Sequence, residues 1–285
     1  EEVEECLKHQ KLNKSPGIDN IVVEVLRAGG QKVLTELHKI VSKIWIEEKL
    51  PEDWKRSIIC PIYKRGDKLS CGNYRGISLL STSYKIFTGI LKNRLQLYSE
   101  KLIGEYQAGF RPGRSTTDSM FVLKQITEKS WEFNVDIYMI FIDFKQAYDT
   151  ISRSKLEIIL SNYGIPSKLV KLINLTMKET VNQVKIQNEL TDTFNTGQGL
   201  KQGDGLAPLL FNLALEFIIR QIDIDVKGTI AYKSSQIMAY ADDLVIISRT
   251  LASAKEVYRT VKSKAKTIGL EVNIDKTKMM IQSRR

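Results

Sequence analysis

Two adjacent aspartates inside an apolar run constrain this chain more than any other feature of its sequence. The sequence AYADDLVII at residues 239–247 places Asp242 and Asp243 between two segments typical of short buried strands. Adjacent carboxylates repel each other, and burial adds a desolvation cost. Such a pair indicates a bound cation, and oxygen ligands suit Mg²⁺ or Mn²⁺. The alternative is an ordinary β-turn in which aspartate only satisfies the turn geometry.

A third aspartate ends another apolar segment. Residues 137–143, with the sequence IYMIFID, predict a strand that ends on Asp143, and a helical pattern follows from Ser154 to Asn162. If the two strand segments pair in one sheet, Asp143 faces Asp242 and Asp243. Three carboxylates on strands can hold two divalent ions that clamp the oxygens of an in-line phosphoryl displacement. The alternative for Asp143 alone is a helix-capping or loop aspartate.

The composition favours a polyanionic partner. The chain has 285 residues and a formal net charge of +10, which is typical of a nucleic-acid-binding protein. Cys6, Cys60 and Cys71 form no CxxC pair, which argues against a zinc site and suits a reducing compartment. No apolar stretch is long enough to span a bilayer, and the start of the chain resembles no signal peptide. We therefore expect no membrane partner.

The element pattern predicts an α+β fold rather than a doubly wound sheet, because helices and short strands follow each other in mixed order. Residues 31–48 predict a helix whose apolar stripe, including Leu37, Ile40 and Ile44, packs in the core. Further patterns predict a strand at residues 57–63 and helices at residues 1–11, 84–97 and 115–132, the last opened by a Ser/Thr cap.

Several blocks of the sequence resemble reverse transcriptases. FIDFKQAYD at residues 141–149 resembles their motif A, GLKQGDGLAPLLFN at 199–212 their motif B, and YADD at 240–243 their motif C. KSPGID at 14–19, NYRGISLL at 73–80 and QAGFRPGRST at 107–116 resemble blocks of the non-LTR (LINE-like) retrotransposons. The blocks occur in family order, and the resemblance runs from about Lys14 to the C-terminus.

This resemblance implies the fingers and palm of a right-hand polymerase, with a ferredoxin-like palm whose helices cover one face. It places an N-terminal helical extension with the KSPG block at residues 1–50 and a reverse transcriptase domain at residues 51–285. The fingers would lie mostly at 51–132 and 166–193, and the palm mostly at 133–165 and 194–285. A thumb is expected to be absent, and the chain is expected to be part of a longer polyprotein.

The resemblance also implies the chemistry. The chain would extend a DNA primer on an RNA template with dNTPs, using two Mg²⁺ ions, or Mn²⁺, held by Asp143, Asp242 and Asp243. The segment GLEVNIDKTK at residues 269–278 resembles motif D, where Lys276 could protonate the departing pyrophosphate. Lys278 is the second match, and an ordinary surface lysine remains the alternative.

Substrate contacts follow from the same resemblance. It assigns four residues to the incoming dNTP: Arg75, Phe144, Tyr148 and Gln202. It assigns Arg111, Arg114 and Gly203 to the template and primer, although the two arginines could instead brace the fingers. The aromatic ring at the position of Tyr148 would clash with a ribose 2′-hydroxyl and so select deoxynucleotides.

Two positions depart from the common family pattern, and two other interpretations stay open. Gly205 stands where proline is usual and Ala207 where serine is usual, so we expect altered loop stiffness. An RNA-dependent RNA polymerase or a group II intron-type enzyme is one rival, against which Tyr148 and the LINE-like fingers blocks argue. A decayed palm that binds nucleic acid without catalysis is the other.

The resemblance to this family also leads us to expect that the protein acts in the nucleus and assembles in the cytoplasm.

Overall fold

The computed structural model describes residues 1–222 and 235–284, which form two compact units. The first unit comprises Glu1–Tyr98 and Leu160–Ala207, and the second comprises Ser99–Ile159 and Pro208–Arg285. Each unit has its own β-sheet with helices, so the α+β prediction is confirmed. The chain passes between the units more than once, and the boundaries of the fingers and palm segments stay a prediction.

Helices and strands alternate irregularly along the chain. The helices are α1 (Glu2–His9), α2 (Val23–Ala28), α3 (Gly30–Glu47), α4 (Glu52–Lys55), α5 (Thr82–Leu102), α6 (Thr116–Glu132), α7 (Ala147–Thr150), α8 (Arg153–Asn162), α9 (Ser167–Met177), α10 (Ala207–Ile219) and α11 (Leu251–Thr267). The strands are β1 (Arg56–Tyr63), β2 (Tyr74–Leu79), β3 (Ile137–Ile142), β4 (Thr180–Ile186), β5 (Glu189–Leu190), β6 (Phe194–Thr196), β7 (Ser235–Tyr240), β8 (Asp243–Ser248) and β9 (Lys278–Gln282).

Local sequence explains where two of the predicted helices begin and pack. Helix α6 begins after Ser115, whose hydroxyl accepts from the Asp118 amide while the Asp118 carboxylate accepts from the Ser115 amide. Such a capping box satisfies two amides that the first turn leaves unpaired. Helix α3 buries Leu37 and Ile44 as predicted, but Ile40 is 39% exposed and does not join the core.

The first unit is built on a sheet with the strand order β2-β1-β4-β5, in which β6 also pairs with β4. Strand β1 runs antiparallel to β2 and parallel to β4. Where β1 and β4 meet, the buried Ser57 hydroxyl donates to Asn182 at 2.5 Å. Strand β2 also contacts the loop at residues 199–205, which contains three glycines. The Ser78 amide donates to the Gln202 carbonyl of this loop at 2.6 Å.

The second unit is built on an antiparallel sheet with the strand order β7-β8-β3-β9. Strand β8 lies between β3 and β7, so those two strands run parallel to each other. Leu123 and Ile126 of α6 pack on the face that carries Ile137, Met139 and Ile247. Helix α11 packs on β8 and β3 from the other side, since its residue Ser253 bonds to Ser235 beside Ser248. The described helices therefore cover both faces, and the expectation of one covered face was wrong.

Within the described ranges, no helix combines the length and the apolar character that a membrane-spanning helix requires.

Candidate active site

The three predicted carboxylates lie at one end of the second unit's sheet. Strand β3 pairs with β8 in a register that ends at Ile142 opposite Leu244, so Asp143 follows directly opposite Asp243. Asp242 lies in the tight turn between β7 and β8, where Tyr240 pairs with Asp243. The predicted pairing of the two strand segments is confirmed, and it brings all three aspartates to the same edge.

The electrostatics of this edge match an oxygen-ligand cation site. Burial raises the pKa of Asp243, and the charges of Asp242 and Asp143 raise it further. One carboxylate oxygen of Asp143 is buried and has no hydrogen bond to any residue that the structure describes. The ammonium group of Lys276 lies 3.5 Å from that oxygen and gives it partial compensation. The site thus concentrates negative charge and includes a carboxylate oxygen whose lone pairs a divalent cation would take.

Protein side chains supply only part of a coordination shell here. In residues 1–222 and 235–284, no group of three or more His, Cys, Asp and Glu side chains is arranged to hold a metal ion by itself. Mg²⁺ commonly binds through one or two carboxylates and takes its remaining ligands from water and substrate phosphates. The residues present fit that mode of binding.

The segment after α11 tethers Asp143. The Asn273 amide donates to the Asp143 carbonyl at 2.8 Å, and the Lys145 amide donates to the Glu271 carbonyl at 2.8 Å. The exposed side chains of Lys145 and Glu271 also form an ion pair, at 2.9 Å, between the same two segments. This pairing carries Lys276 to the carboxylates. The second candidate, Lys278, donates instead to the Asp275 carbonyl within its own turn.

The two aromatic residues after Asp143 have different environments. Phe144 is 3% exposed and pairs through its backbone with Val272, so its side chain packs in the core; a nucleotide contact there stays a prediction. Tyr148 stacks on Phe211 with ring centroids 4.9 Å apart. Burial and the charge of Asp242 raise the pKa of Tyr148, whose buried hydroxyl has no hydrogen bond among the described residues. The ring of Tyr148 therefore lies near Asp242, at the end of the sheet where the three aspartates meet.

Sequence reasoning missed the residue that supports the β7–β8 turn. Gln107 is 1% exposed, and its carboxamide oxygen accepts from the amides of Ala241 and Gly109, each at 2.8 Å. Its carboxamide nitrogen donates to the Ala241 carbonyl at 3.2 Å. The sequence around Gln107 carries a family resemblance, which assigns this residue no role. A glutamine close to a glycine was the available signal, and it did not say which backbone the side chain would bind.

The two arginines of that block make internal contacts. The side chain of Arg111 is 6% exposed, and its guanidinium group binds Glu100 at 3.0 Å and the Gly104 carbonyl at 2.9 Å. These contacts favour the bracing role of Arg111 over contact with the template. Arg114 forms an ion pair with Glu105 and is 39% exposed, so a template phosphate could still reach it.

The remaining predicted site residues belong to the first unit. Arg75 is exposed on β2, where it pairs with Ile62. The loop of Gln202 and Gly203 is fixed by Asp204, which is buried and accepts from the Tyr84 hydroxyl at 2.9 Å. Arg75, Gln202 and Gly203 therefore belong to the first unit, whereas the three aspartates belong to the second.

Gly203 is the position in that loop where a side chain cannot be accommodated. Its φ is +132°, and a Cβ atom would lie 2.5 Å from the Ser78 carbonyl oxygen. We expect Gly203→Ala to lower the free energy of unfolding by about 1–3 kcal/mol, measured by urea denaturation. Gly205 has open space around it, so Gly205→Ala is the matched control and should change stability little. Equal effects of the two substitutions would contradict this interpretation of the loop.

Repulsion among the carboxylates should be visible in thermal stability. We expect Asp243→Asn to raise Tm by on the order of 1–3 °C in EDTA, because it removes a repelling charge. Mg²⁺ should raise the Tm of the wild-type protein, since a ligand bound to the folded state stabilises it, and should raise that of the variant less. Differential scanning fluorimetry measures both, and equal Mg²⁺ shifts would count against a cation site here.

Comparisons with known proteins agree with the sequence blocks. The family model described as "Reverse transcriptase (RNA-dependent DNA polymerase)" matches residues 62–285. The "Transposon TX1 uncharacterized 149 kDa protein" of Xenopus laevis is 23% identical over 99% of this chain. The "Probable RNA-directed DNA polymerase from transposon BS" of Drosophila melanogaster is 26% identical over 97% of it. The chain spans only 22% and 31% of these two relatives, respectively.

Structural similarity extends the agreement to the fold. The structure of telomerase from Candida tropicalis in complex with a TWJ fragment of telomeric RNA aligns with a TM-score of 0.63 and 15% identity. The alignment covers 93% of this chain and 49% of the telomerase chain. The family match covers well over half of the chain, and the relatives confirm the resemblance to reverse transcriptases of non-LTR retrotransposons. This chain therefore belongs to the reverse transcriptase (RNA-dependent DNA polymerase) family.

Proposed function

We propose that this chain catalyses RNA-directed DNA synthesis, transferring dNTPs onto a primer 3′-hydroxyl with release of pyrophosphate. The observation that carries the proposal is the meeting of Asp143, Asp242 and Asp243 at one end of a sheet in a member of this family. Two divalent cations bound there would lower the pKa of the primer 3′-hydroxyl and stabilise the pyrophosphate leaving group. Mg²⁺ is the expected cation, and Mn²⁺ could replace it.

The chain's own residues would then position the reactants. Asp143 and Asp243 provide carboxylate oxygens from neighbouring strands, so their separation is set by backbone pairing rather than by mobile loops. Lys276 would deliver a proton to the departing pyrophosphate, and its distance of 3.5 Å from Asp143 supports this role. Arg75 is exposed and can offer a bidentate guanidinium to a triphosphate. A role of Gln202 at the incoming nucleotide follows from the resemblance.

We assign the second unit to the palm and the first unit to the fingers. Strands β3, β7, β8 and β9 have the order and directions of a split β-α-β layer, which supports a ferredoxin-like palm. A thumb and other domains of a longer polyprotein are expected outside these 285 residues, as the greater length of the relatives suggests. We also propose that the protein acts in the nucleus after it has assembled with its RNA in the cytoplasm.

A cleft in the first unit supports a template path. It has a volume of about 820 Å³, and its lining includes Lys11, Lys14, Lys85 and Lys92 together with Gly203. Burial lowers the pKa of Lys85, although the charges of Asp204 and Asp19 oppose that shift. A groove with several cations and a bare glycine backbone suits the phosphates of a single strand.

If single-stranded RNA binds in this cleft, the salt dependence of its affinity should reflect the lysines that line it. We expect Lys14→Ala with Lys92→Ala to weaken single-stranded RNA binding and to reduce the log–log salt slope by about 0.7 for each phosphate that the variant no longer binds. Lys32→Ala with Lys43→Ala is the matched control, because those lysines of α3 do not line the cleft. Fluorescence anisotropy at several salt concentrations measures the slope. Indistinguishable slopes for the two double variants would remove the cleft from the template path.

The experiment that tests the proposed function is primer extension by the wild-type chain on an RNA template. Extension that requires dNTPs and a divalent cation is the expected result. Extension with rNTPs only would favour the RNA polymerase alternative. No extension, with template–primer binding intact, would favour a palm that has lost catalysis.

A further inference from the structure

We propose that Gln107 is a positioning residue that holds the β7–β8 turn in the conformation from which Asp242 and Asp243 bind cations. This inference rests on the proposed function, because it concerns how the same carboxylates are aimed. It goes beyond that function by assigning a role to a buried amide outside the two motifs that carry the carboxylates.

The turn needs support because its backbone conformation is costly. Ala241 has a φ of +56°, which lies in the left-handed region that residues with a Cβ atom rarely occupy. A strained residue of this kind persists only where the surrounding structure fixes it. Asp242 and Asp243 follow directly, so the backbone angles at Ala241 set the direction in which both carboxylates leave the turn.

Gln107 is well suited to fix this residue. Its carboxamide oxygen accepts from the Ala241 amide at 2.8 Å, and its nitrogen donates to the Ala241 carbonyl at 3.2 Å. A carboxamide that binds the donor and the acceptor of one residue restrains the peptide planes on both sides of it. With 1% of Gln107 exposed, water cannot replace these bonds without opening the core.

Gln107 is itself held in place. The bridge between Gln107 and Ala239 is flanked by two bonds, from the Ala108 amide to the Ala239 carbonyl at 2.9 Å and from the Ala239 amide to the Tyr106 carbonyl at 2.8 Å. At Gly109 a Cβ atom would lie 2.2 Å from the Ala241 amide nitrogen, so only glycine lets the two segments approach this closely. The segment therefore acts as a short extra strand beside β7.

Internal contacts anchor the other side of this segment. Arg111 donates to the Gln107 carbonyl at 3.2 Å, and Asn212 donates to the Gly109 carbonyl at 2.8 Å. The amide of Gln107 also donates to the Gly104 carbonyl at 3.2 Å. These bonds fix the backbone around Gln107. The block at residues 107–116 would therefore support the turn that carries Asp242.

A structural role alone predicts a different outcome from positioning. If Gln107 only filled the core, its loss would lower stability, and the nature of residue 241 would not matter. If Gln107 holds a strained turn, replacing Ala241 by glycine should offset its loss, because glycine adopts the left-handed region without steric cost. The comparison of single and double variants separates the two explanations.

The experiment compares the wild-type chain with Gln107→Ala, Ala241→Gly and the double variant. We expect Gln107→Ala to raise the half-saturating Mg²⁺ concentration in primer extension by roughly tenfold or more, as loss of supporting contacts to metal ligands does elsewhere. The double variant should return much of the way to the wild-type value. Gln125→Ala, a glutamine on α6 that bonds to Glu128, is the matched control.

A second readout does not depend on catalysis. Hydrogen exchange of the metal-free protein, followed by NMR, should be faster at the Ala241 amide in Gln107→Ala and unchanged at Val245 and Ile247. If Gln107→Ala does not fold, Gln107→Glu serves, because it keeps the acceptor and the volume but loses the donor to the Ala241 carbonyl.

The outcomes separate this inference from the proposed function. A wild-type chain that extends no primer would contradict the proposed function, while the exchange of the Ala241 amide would still decide the role of Gln107. Unchanged exchange at Ala241 in Gln107→Ala would overturn the inference. So would a loss of Mg²⁺ response that Ala241→Gly leaves unrepaired.

Discussion

Asp242→Asn is expected to reduce primer extension by about 10³-fold or more, because it removes one of the carboxylates that we propose to bind the cations. Asp242 lies in the turn between β7 and β8, where it contributes to the raised pKa of Asp243. The substitution keeps the volume of the side chain and removes only its charge. Template–primer binding should therefore stay within about threefold of the wild-type value, since phosphate contacts supply most of that affinity.

Single-nucleotide incorporation under saturating template–primer measures the first effect, and anisotropy measures the second. The matched control is Asp136→Asn, which makes the same chemical change just before β3, at the end of that strand opposite to Asp143. The control should retain normal incorporation. Incorporation by Asp242→Asn within about tenfold of the wild-type rate would contradict the assignment of this carboxylate, because removal of a ligand costs more than that.

Tyr148→Ala is expected to admit ribonucleotides, improving their incorporation relative to deoxynucleotides by roughly 10- to 200-fold. The ring of Tyr148 is held by stacking on Phe211 at 4.9 Å and lies close to the charge of Asp242. A fixed ring at that position would exclude a 2′-hydroxyl by contact, whereas alanine leaves space for it. The ratio of kcat/KM for matched dNTP and rNTP substrates measures the change.

Tyr148→Phe is the matched control for this prediction. The hydroxyl of Tyr148 is buried and has no hydrogen bond in the part of the chain that the structure describes. Removing it should leave sugar discrimination unchanged, because we propose that the ring, not the hydroxyl, excludes the 2′-hydroxyl of a ribonucleotide. Unchanged discrimination in Tyr148→Ala, or equal relaxation in both variants, would contradict a steric gate at this residue.

The strands that carry the carboxylates were predictable from sequence. Residues 137–143 and 239–247 are apolar runs interrupted or ended by aspartate, and such runs predict buried strands whose polar ends lie at an edge. Pairing of β3 with β8 then brings Asp143 opposite Asp243. The order of the motifs added the family, which the comparisons confirm. Helical patterns also located α3 and α6, because each spaces its apolar residues at helical intervals.

Contacts between distant segments were not predictable in the same way. The bonds from Gln107 to Ala241 join residues 134 positions apart, and no local pattern states which backbone a buried amide will bind. The internal contacts of Arg111 have the same origin, since an arginine in a basic turn is equally typical of a phosphate contact. Ile40 was misplaced because helical spacing marks one stripe but not its width, and α3 buries only part of that stripe.

The most direct test of the central claim is a measurement of bound Mn²⁺ by electron paramagnetic resonance, in wild-type protein and in Asp143→Asn. The sample would contain an RNA template, a primer lacking its 3′-hydroxyl and the matching dNTP, so that the complex assembles without reacting. We expect about two ions per wild-type chain and the loss of at least one of them in the variant. Equal numbers of bound ions in the two proteins would contradict the claim that these carboxylates hold the cations of DNA synthesis.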